Sequence, residues 1–552
     1  MSSFTSPLAA LFVGALLSSL IVSCSSPDRS SADSARAAAR TRLPNTQMAR
    51  APSAQYLNEF SATAEIAVRA DGSNDIGAIA DTAMSIEEYA SIIENPFVPA
   101  TDEPLSTFSI DVDAASYSNA RRFITDGMLP PPDAVRVEEF INYFAYDYPQ
   151  PTGADPFSVT TEVGECPWNP SHRLLHVGLQ GRRMQAEQLP PSNLTFLIDV
   201  SGSMQSPGKL PLLKESFHLL VDQLSERDRV AIVVYAGAAG VVLEPTSGAD
   251  KRTIHQAIED LEAGGSTAGA EGIERAYELA AAGFMRNGSN RVILATDGDF
   301  NVGISSDDDL VKLIEREREK GIFLSVLGFG MGNLKDAKME AIADHGNGHY
   351  AYIDGATEAK KVFMTEIGAT LHTIAKDVKI QVVFNPSLVR EYRLIGYENR
   401  LLANADFDDD TKDAGEIGAG HSVTAIYEIV PSGAVAGRSR KGLDTLDLPA
   451  EFWRDQLVQV RLRYKEPTGT TSRLLTHPAI DRGTALRDAS ANYRFSAAVA
   501  EFGMLLRSSK HAGAGSYSQV LDLARGARGA DLEGYRGEFI ELVTKAKGLA
   551  GS

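Results

Sequence analysis

The sequence predicts an α/β protein with a doubly wound, mostly parallel sheet, flanked by smaller α+β modules. From about residue 192, short apolar stretches rich in β-branched residues alternate with segments of helical periodicity. Strands that are apolar on both faces are typical of a parallel sheet covered by helices. After residue 376, hydrophobic and polar residues alternate with a period of two, which indicates half-buried antiparallel strands.

The same periodicities assign the individual elements. In the central region, strands are expected at 194–200, 229–237, 291–298, 322–330 and 348–353, and helices at 209–224, 251–261, 268–284, 307–320, 335–344 and 356–374. On the N-terminal side, a strand is expected at 108–112, helices at 114–126 and 133–145, and strands at 157–163 and 173–179. Helices at 488–507, 516–526 and 533–547 follow the antiparallel strands.

The composition excludes one class of partner. Of the 552 residues, 43% are hydrophobic and 23% are charged, which is the balance of a soluble globular protein. The chain has 73 Asp and Glu against 53 Lys and Arg, for a formal net charge of −20. An acidic surface repels phosphate backbones, so nucleic acid is not an expected partner. Such a surface suits metal ions or a basic partner, or serves only solubility.

The N-terminus predicts export. Residues 7–23 form an apolar run of signal-peptide length, which is short for a transmembrane helix of about 20 residues. The run ends in IVSC, which resembles a bacterial lipobox, in which the cysteine (here Cys24) is lipidated. Ser25 stands where an inner-membrane retention signal would place Asp, so the resemblance implies an outer-membrane lipoprotein facing the periplasm. A plain signal peptide or a membrane anchor is the alternative.

The mature chain is expected to combine a tether with folded modules. Residues 25–93 are rich in Ser, Ala, Asp and Arg and contain few aromatic residues, so they are predicted to be a disordered tether. The predicted segments are a lipoprotein signal peptide at 1–24, the tether at 25–93, an N-terminal module at 94–185, the α/β domain at 190–375, and a β-rich then helical module at 376–552.

Oxygen-bearing side chains occur in three short segments of the predicted α/β domain. Asp199, Ser201 and Ser203 alternate in a glycine-containing loop at the end of one apolar strand. Thr267 follows Gly-Gly-Ser before a helix, and Asp297 ends another strand. Ligands of such sheets bind at the carboxyl ends of the strands, where these segments would meet. Carboxylates and hydroxyls suit a hard cation such as Mg²⁺, which takes about six oxygens and tolerates bound water.

This set of residues resembles the metal-ion-dependent adhesion site of von Willebrand factor type A (VWA) domains. The order of strands and helices around it is similar to their Rossmann-like fold. The resemblance implies that Ser201, Ser203 and Thr267 touch the metal directly, and that Asp199 and Asp297 bind it directly or through water. It also implies an open coordination position that an Asp or Glu carboxylate of a protein partner fills.

Residues outside this set extend the resemblance. Asp299 and Asn301 are expected at the rim of the site, where they either contact the partner or shape the loop. The sequence from ENPF at 94–97 through FSIDVDAASY and LPPPDAVRVEEFINYF is similar to the N-terminal module of bacterial lipoproteins of the YfbK-like type. The C-terminal region of strands and then helices is similar to the module that follows their VWA domain.

We therefore expect a cell-envelope lipoprotein, held at the membrane by its lipid, that uses Mg²⁺ or Mn²⁺ for protein binding or scaffolding. A structural envelope protein with a stabilising metal is the first alternative. A metal-dependent hydrolase is disfavoured because no motif places a general base beside the ligands, so no enzymatic activity is predicted.

The loop GSMQSPGK departs from phosphate-loop spacing, and glycines between His345 and His349 favour a turn over a zinc pair.

Overall fold

The computed structural model describes residues 87–551 apart from 186–187, 237, 265–269, 299–306, 367–370, 434–442, 444–445 and 447. All described residues belong to one compact unit, Asp81–Ser552. The predicted signal peptide with Cys24, and most of the predicted tether, lie outside the described residues.

The end of the predicted tether contacts the folded chain. The Glu87 carboxylate accepts hydrogen bonds from Arg122 at 2.9 Å and from the backbone N–H of Gly332 at 2.8 Å. Glu88 forms a parallel bridge with Lys335. Glu87 and Glu88 therefore belong to the folded structure, which the composition did not indicate, because the groups that hold this segment come from distant parts of the sequence.

The N-terminal segment contributes short strands, two helices and a long hairpin. The second helix is shorter than predicted because Pro132–Ala134 forms a separate 3-10 turn before it. The elements are β1 (Val98–Pro99), β2 (Leu105–Ser109), α1 (Ala115–Thr125), α2 (Val137–Asn142), β3 (Phe157–Cys166) and β4 (Asn169–Gly181).

The central segment alternates strands and helices, as the apolar stretches predicted. Its elements are β5 (Ser192–Asp199), α3 (Leu210–Gln223), β6 (Arg229–Ala236), β7 (Ala238–Ser247), α4 (Lys251–Glu259), α5 (Ala270–Ala282), β8 (Ser289–Thr296), α6 (Asp307–Glu319), β9 (Ile322–Phe329), α7 (Asp336–His345), β10 (Tyr350–Ile353) and α8 (Ala356–Lys360).

These strands form a six-stranded sheet in the order β10-β9-β8-β5-β6-β7. Neighbouring strands are parallel except for β7, which is antiparallel to β6. Alternate side chains of β5 enter different cores: Phe196 packs in the cluster that includes α3 and α4, and Leu197 in the cluster that includes α5, α6 and α7. The predicted doubly wound, mostly parallel sheet is confirmed.

Two central elements differ from the prediction. Strand β7 was not expected, because its sequence contains Gly and Pro, which an antiparallel edge strand tolerates. The helix expected at 356–374 is also wrong. It ends as α8 and a π turn at Lys361–Thr365, and the chain is already extended at Thr373, where it joins a different sheet.

The C-terminal segment supplies strands first and helices afterwards. Its elements are β11 (Thr373–Phe384), β12 (Val389–Ile395), β13 (Gly415–Gly418), β14 (Ser422–Pro431), α9 (Ala450–Arg454), β15 (Val458–Lys465), β16 (Arg473–Ala479), α10 (Ala491–Leu506), α11 (Tyr517–Gly526) and α12 (Tyr535–Leu549).

The two flanking segments share both of their sheets. One sheet has the order β1-β12-β14-β4-β3, and the other has the order β13-β11-β15-β16 with β2 also paired to β11. One apolar cluster draws side chains from both sheets, including Phe108 of β2, Phe384 of β11 and Tyr427 of β14. The segments before and after the central domain therefore fold as one sandwich, although the boundaries predicted from sequence remain predictions.

Two arginines with little exposed surface connect this flanking structure to the central domain. Arg136, which precedes α2, donates to Asp336 at the start of α7. Arg400, which follows β12, donates to Asp344 of α7 and, at 3.1 Å, to Asp111 after β2. Because one guanidinium contacts carboxylates from separate segments, α7 is held from both flanks by charge-assisted hydrogen bonds.

This buried network predicts a pH-dependent stability. Burial raises the pKa of Glu340 on α7 to about 7, against an ordinary value of 4.5. An acid with a higher pKa in the folded chain takes up a proton on folding, so the free energy of unfolding falls as the pH rises between these values. Glutamine cannot take up this proton, so in Glu340→Gln the unfolding free energy should fall less with pH, by up to about 3 kcal/mol. Denaturant unfolding in EDTA from pH 4.5 to 7 measures the difference.

The exposed Glu319, at the end of α6, provides the matched control. Glu319→Gln should leave the slope of unfolding free energy against pH as it is in the wild type. An unchanged slope in Glu340→Gln would show that this carboxyl group does not change protonation on folding.

Candidate metal centre

The predicted site lies at the point where the order of the strands across the central sheet changes direction. From β5 the chain proceeds to β6 on one side, and it later returns to β8 on the other side of β5. The two neighbours run parallel, with Ile198 of β5 opposite Ala295 of β8. Asp199, the last residue of β5, and Asp297, the first after β8, therefore lie at the same edge, the usual ligand position in such sheets.

The loop after β5 brings the two predicted serines together. The N–H of Ser201 donates to Asp199 Oδ1 at 2.8 Å, and the hydroxyl oxygens of Ser201 and Ser203 are 2.9 Å apart. A 3-10 turn at Gly202–Gln205 shapes the loop, and the fully buried Met204 fixes it to the core beneath. This apolar anchor directly follows Ser203, so it holds the part of the loop that carries the grouped oxygens.

Asp199 is fully buried and surrounded by polar groups. Its Oδ2 accepts hydrogen bonds from Tyr235 at 3.2 Å and from Thr296 at 3.3 Å. Burial raises the pKa of Asp199, and the nearby charge of Asp297 raises it further, against the opposing effect of the Ser201 hydrogen bonds. Two carboxylates in a desolvated position favour the approach of a cation.

Asp297 already contacts a cation of the protein itself. Lys209, the residue before α3, places Nζ 2.7 Å from Asp297 Oδ2 and 3.3 Å from Asn333 Oδ1. Asp297 is fully buried, and the Lys209 side chain is 10% exposed. The sequence does not identify Lys209 as a site residue, because no local pattern relates it to a residue at the end of β8.

The remaining predicted site residues, Thr267, Asp299 and Asn301, lie outside the described residues. The loop that carries Thr267 does start beside the site, since the N–H of Gly264 donates to the Val200 carbonyl at 2.8 Å. Hydrogen bonds thus join Asp199, Ser201 and Ser203. Asp297 lies at the same end of the sheet, directly after the neighbouring strand β8.

The described donors fit a hard divalent ion. They are carboxylate and hydroxyl oxygens, the ligand types of Mg²⁺ and Mn²⁺, and Ser203 at the surface leaves an approach for water or a partner group. The ammonium of Lys209 beside Asp297 shows that this position already stabilises positive charge. Asp199, Ser201 and Ser203 would hold such an ion, with Asp297 bound directly or through water.

A second group of carboxylates comes close enough to hold an ion. Oxygens of Asp111, Glu139 and Glu340 lie within 4.8 Å of one another. Each has a partner from the chain: Asp113 N–H to Asp111 at 2.9 Å, Ser116 N–H to Glu139 at 2.7 Å, and the Asn399 amide to Glu340 at 2.5 Å. With Arg136 and Arg400 beside them, we assign these carboxylates to the network that holds α7.

Family models cover most of the described chain. The model for the von Willebrand factor type A domain matches residues 193–365, which contain the whole predicted site. A model described as von Willebrand factor matches residues 83–176, and one described as "Uncharacterized protein YfbK, C-terminal" matches residues 369–549.

A curated relative matches across all three regions. The protein named "Uncharacterized protein YfbK" of Escherichia coli (strain K12) is 44% identical over 470 residues, which span 84% of this chain and 81% of the relative. This chain belongs to the YfbK family. The predicted resemblance is confirmed, and the VWA domain with the YfbK-type C-terminal region is its shared organisation.

Solved structures are similar at lower identity. One described as "von Willebrand factor type A from Catenulispora acidiphila" is 16% identical and covers 70% of this YfbK-family chain and 89% of its own, with a TM-score of 0.38. Another is proximal thread matrix protein 1 from the mussel byssus "with zinc occupied MIDAS motif". It is 25% identical and covers 30% of this chain and 42% of its own, with a TM-score of 0.25. That zinc is a property of the mussel protein.

The VWA domain indicates a general kind of function. VWA domains in general mediate protein–protein interactions and often bind a divalent metal at this motif.

Within the described residues, no helix combines the length and the apolar composition needed to cross a bilayer.

Ser203→Ala should weaken Mg²⁺ binding without disturbing the fold. The substitution removes one hydroxyl oxygen from the exposed side of the site, and loss of a metal contact typically lowers affinity by about tenfold or more. Isothermal titration with MgCl₂ measures the affinity, and thermal unfolding in EDTA checks the fold. Ser206→Ala, in the same loop, should match the wild type in both. Collapse of Ser203→Ala in EDTA would contradict the assignment of Ser203 to the ion.

Proposed function

We propose that this chain is a cell-envelope lipoprotein whose metal-ion-dependent adhesion site binds a protein partner through an Asp or Glu side chain. The observation that supports this most strongly is the convergence of Asp199, Ser201 and Ser203 with Asp297 at the switch point of a VWA sheet. The ion is Mg²⁺ or Mn²⁺, since both accept oxygen octahedra. When bound, it supplies a coordination position that a partner carboxylate fills.

The surface beside the site supports a role in protein binding. A groove of about 360 Å³ is lined in part by Gly208, which precedes Lys209 in the chain, and by Gly330, which lies against the Lys209 side chain. The lining also includes Met331, which is 57% exposed, Arg122 of α1, and Glu538 of α12. The N-terminal and C-terminal segments thus contribute to the surface that a partner at the ion would meet.

We propose a non-catalytic role for the same site. The described side chains that would surround the ion are hydroxyls, carboxylates and an ammonium already paired with Asp297. A binding site of this kind needs no further proton-transfer group, whereas hydrolysis would need a positioned general base. The competing structural role, in which the ion only stabilises the domain, is separated from partner binding by the following experiment.

The wild-type chain from Asp81, immobilised in Mg²⁺, should retain a protein from envelope extract that is lost in EDTA and with Asp199→Ala. The physical reason is that the partner carboxylate binds the ion, which needs Asp199. Mass spectrometry of the retained proteins is the measurement. Blocking carboxylates in the extract with carbodiimide and glycinamide should also abolish retention.

Asp222→Ala controls for loss of an exposed carboxylate on α3, outside the predicted site. It should retain the same partner as the wild type. Retention of one identical set of proteins under all of these conditions would mean that the ion is structural.

We propose that Cys24 carries the lipid and that the lipid holds the chain at the outer membrane, facing the periplasm. Cys24→Ala should abolish incorporation of labelled palmitate, because the thiol is the acceptor in a lipobox. Cys166→Ala should retain the label, since Cys166 is fully buried in the folded chain. Labelling and membrane fractionation of both variants are the measurements, and label on Cys24→Ala would exclude this anchor.

A further inference from the structure

We propose that Lys209 is a built-in counter-ion of the metal centre: its ammonium neutralises Asp297 in the metal-free protein and competes with the divalent ion for that carboxylate. This inference rests on the proposed metal-dependent function. Lys209 would then control how tightly the site binds metal. Metal binding would exchange the Lys209 ammonium for a divalent ion at the Asp297 carboxylate.

The contact between Lys209 and Asp297 is short and desolvated. Nζ lies 2.7 Å from Oδ2, with 10% of the lysine side chain and none of the aspartate side chain exposed. Removing one partner from a buried ion pair leaves the other charge uncompensated, which is strongly unfavourable. In the absence of metal, the ammonium therefore contributes to the stability of the buried Asp297 carboxylate after β8.

The path of the lysine side chain is built into the neighbouring loop. Gly330, just after β9, has φ +75°, and a Cβ atom at this position would lie 2.3 Å from Lys209 Cε and 2.5 Å from Cγ. Any other residue there would have to displace the lysine. The aliphatic stem thus passes through space that only glycine leaves open, and it delivers the charge to Asp297.

The charges at this edge of the sheet explain the competition. Asp199 and Asp297 are both fully buried, and each would contribute negative charge to a bound divalent ion. An ammonium already hydrogen-bonded to Asp297 takes part of that charge and repels a second cation close by. Asn333 Oδ1, 3.3 Å from Nζ, is a neutral acceptor within reach when the ion takes the carboxylate.

Lys209→Met tests this exchange, because methionine keeps an apolar stem of similar length without the charge. It should bind Mg²⁺ about tenfold or more tightly than the wild type, since a charge-assisted hydrogen bond no longer opposes the ion. It should also melt at a lower temperature than the wild type in EDTA, and the difference should shrink in saturating MgCl₂. Isothermal titration with MgCl₂ and thermal unfolding of the full chain measure both effects.

Lys214→Met is the matched control, because Lys214 lies on α3 and donates to the carbonyl of Glu259 at 2.7 Å, away from the site. It should leave Mg²⁺ affinity unchanged. Lys209→Gln keeps a hydrogen-bond donor and loses the charge, so it should shift affinity in the same direction as Lys209→Met and stands in for it if that variant does not fold.

The outcomes separate this inference from the proposed function. If the wild type binds Mg²⁺ and both Lys209 variants bind it equally or more weakly, the counter-ion role is wrong while the metal site stands. If neither the wild type nor any variant binds Mg²⁺ or Mn²⁺, the metal-dependent function fails and the inference fails with it. Tighter binding in both Lys209 variants, together with wild-type affinity in Lys214→Met, is the expected result.

Discussion

Two buried carboxylates, Asp199 and Asp297, constrain the structure around the site. They lie at the carboxyl ends of strands in a sheet that is covered on both faces. Neither side chain has any exposed surface. Their charge is met by directed groups: the N–H of Ser201, hydroxyls from two neighbouring strands, and the ammonium of Lys209. Because buried charge is stable only when compensated, the loop conformations at this edge and its attraction for cations have the same physical origin.

The flanking segments act as one body around the central domain. Strands before and after it in sequence pair in two common sheets, so the VWA domain is an insertion between halves of a sandwich. Arg136 and Arg400 connect that sandwich to α7, and Arg121 of α1 connects Asp354, Glu358 and Glu538. A domain held through ion pairs on several sides has little freedom to move independently, which suits the partner binding proposed for its site.

Sequence reasoning succeeded where the information is local. The apolar strands and the D-x-S-x-S loop occupy contiguous stretches, and the rule that ligands bind at carboxyl ends of parallel strands then grouped Asp199, Ser201 and Ser203 with Asp297. It failed where tertiary contacts overrode composition or propensity. Glu87 is held by Arg122 and Gly332, β7 forms because an edge accepts Gly and Pro, and the helix from Ala356 ends where the chain crosses into the sandwich.

The sequence by itself determined the α/β class, the family resemblance and the choice of candidate oxygen ligands, because each depends on residue type and spacing within a short segment. Only the tertiary structure decided that Lys209 neutralises Asp297, 88 residues away, and that β2 pairs with β11. Such contacts join segments that no local period relates. Their energies depend on burial and charge at the point of contact, and burial exists only once the chain has folded.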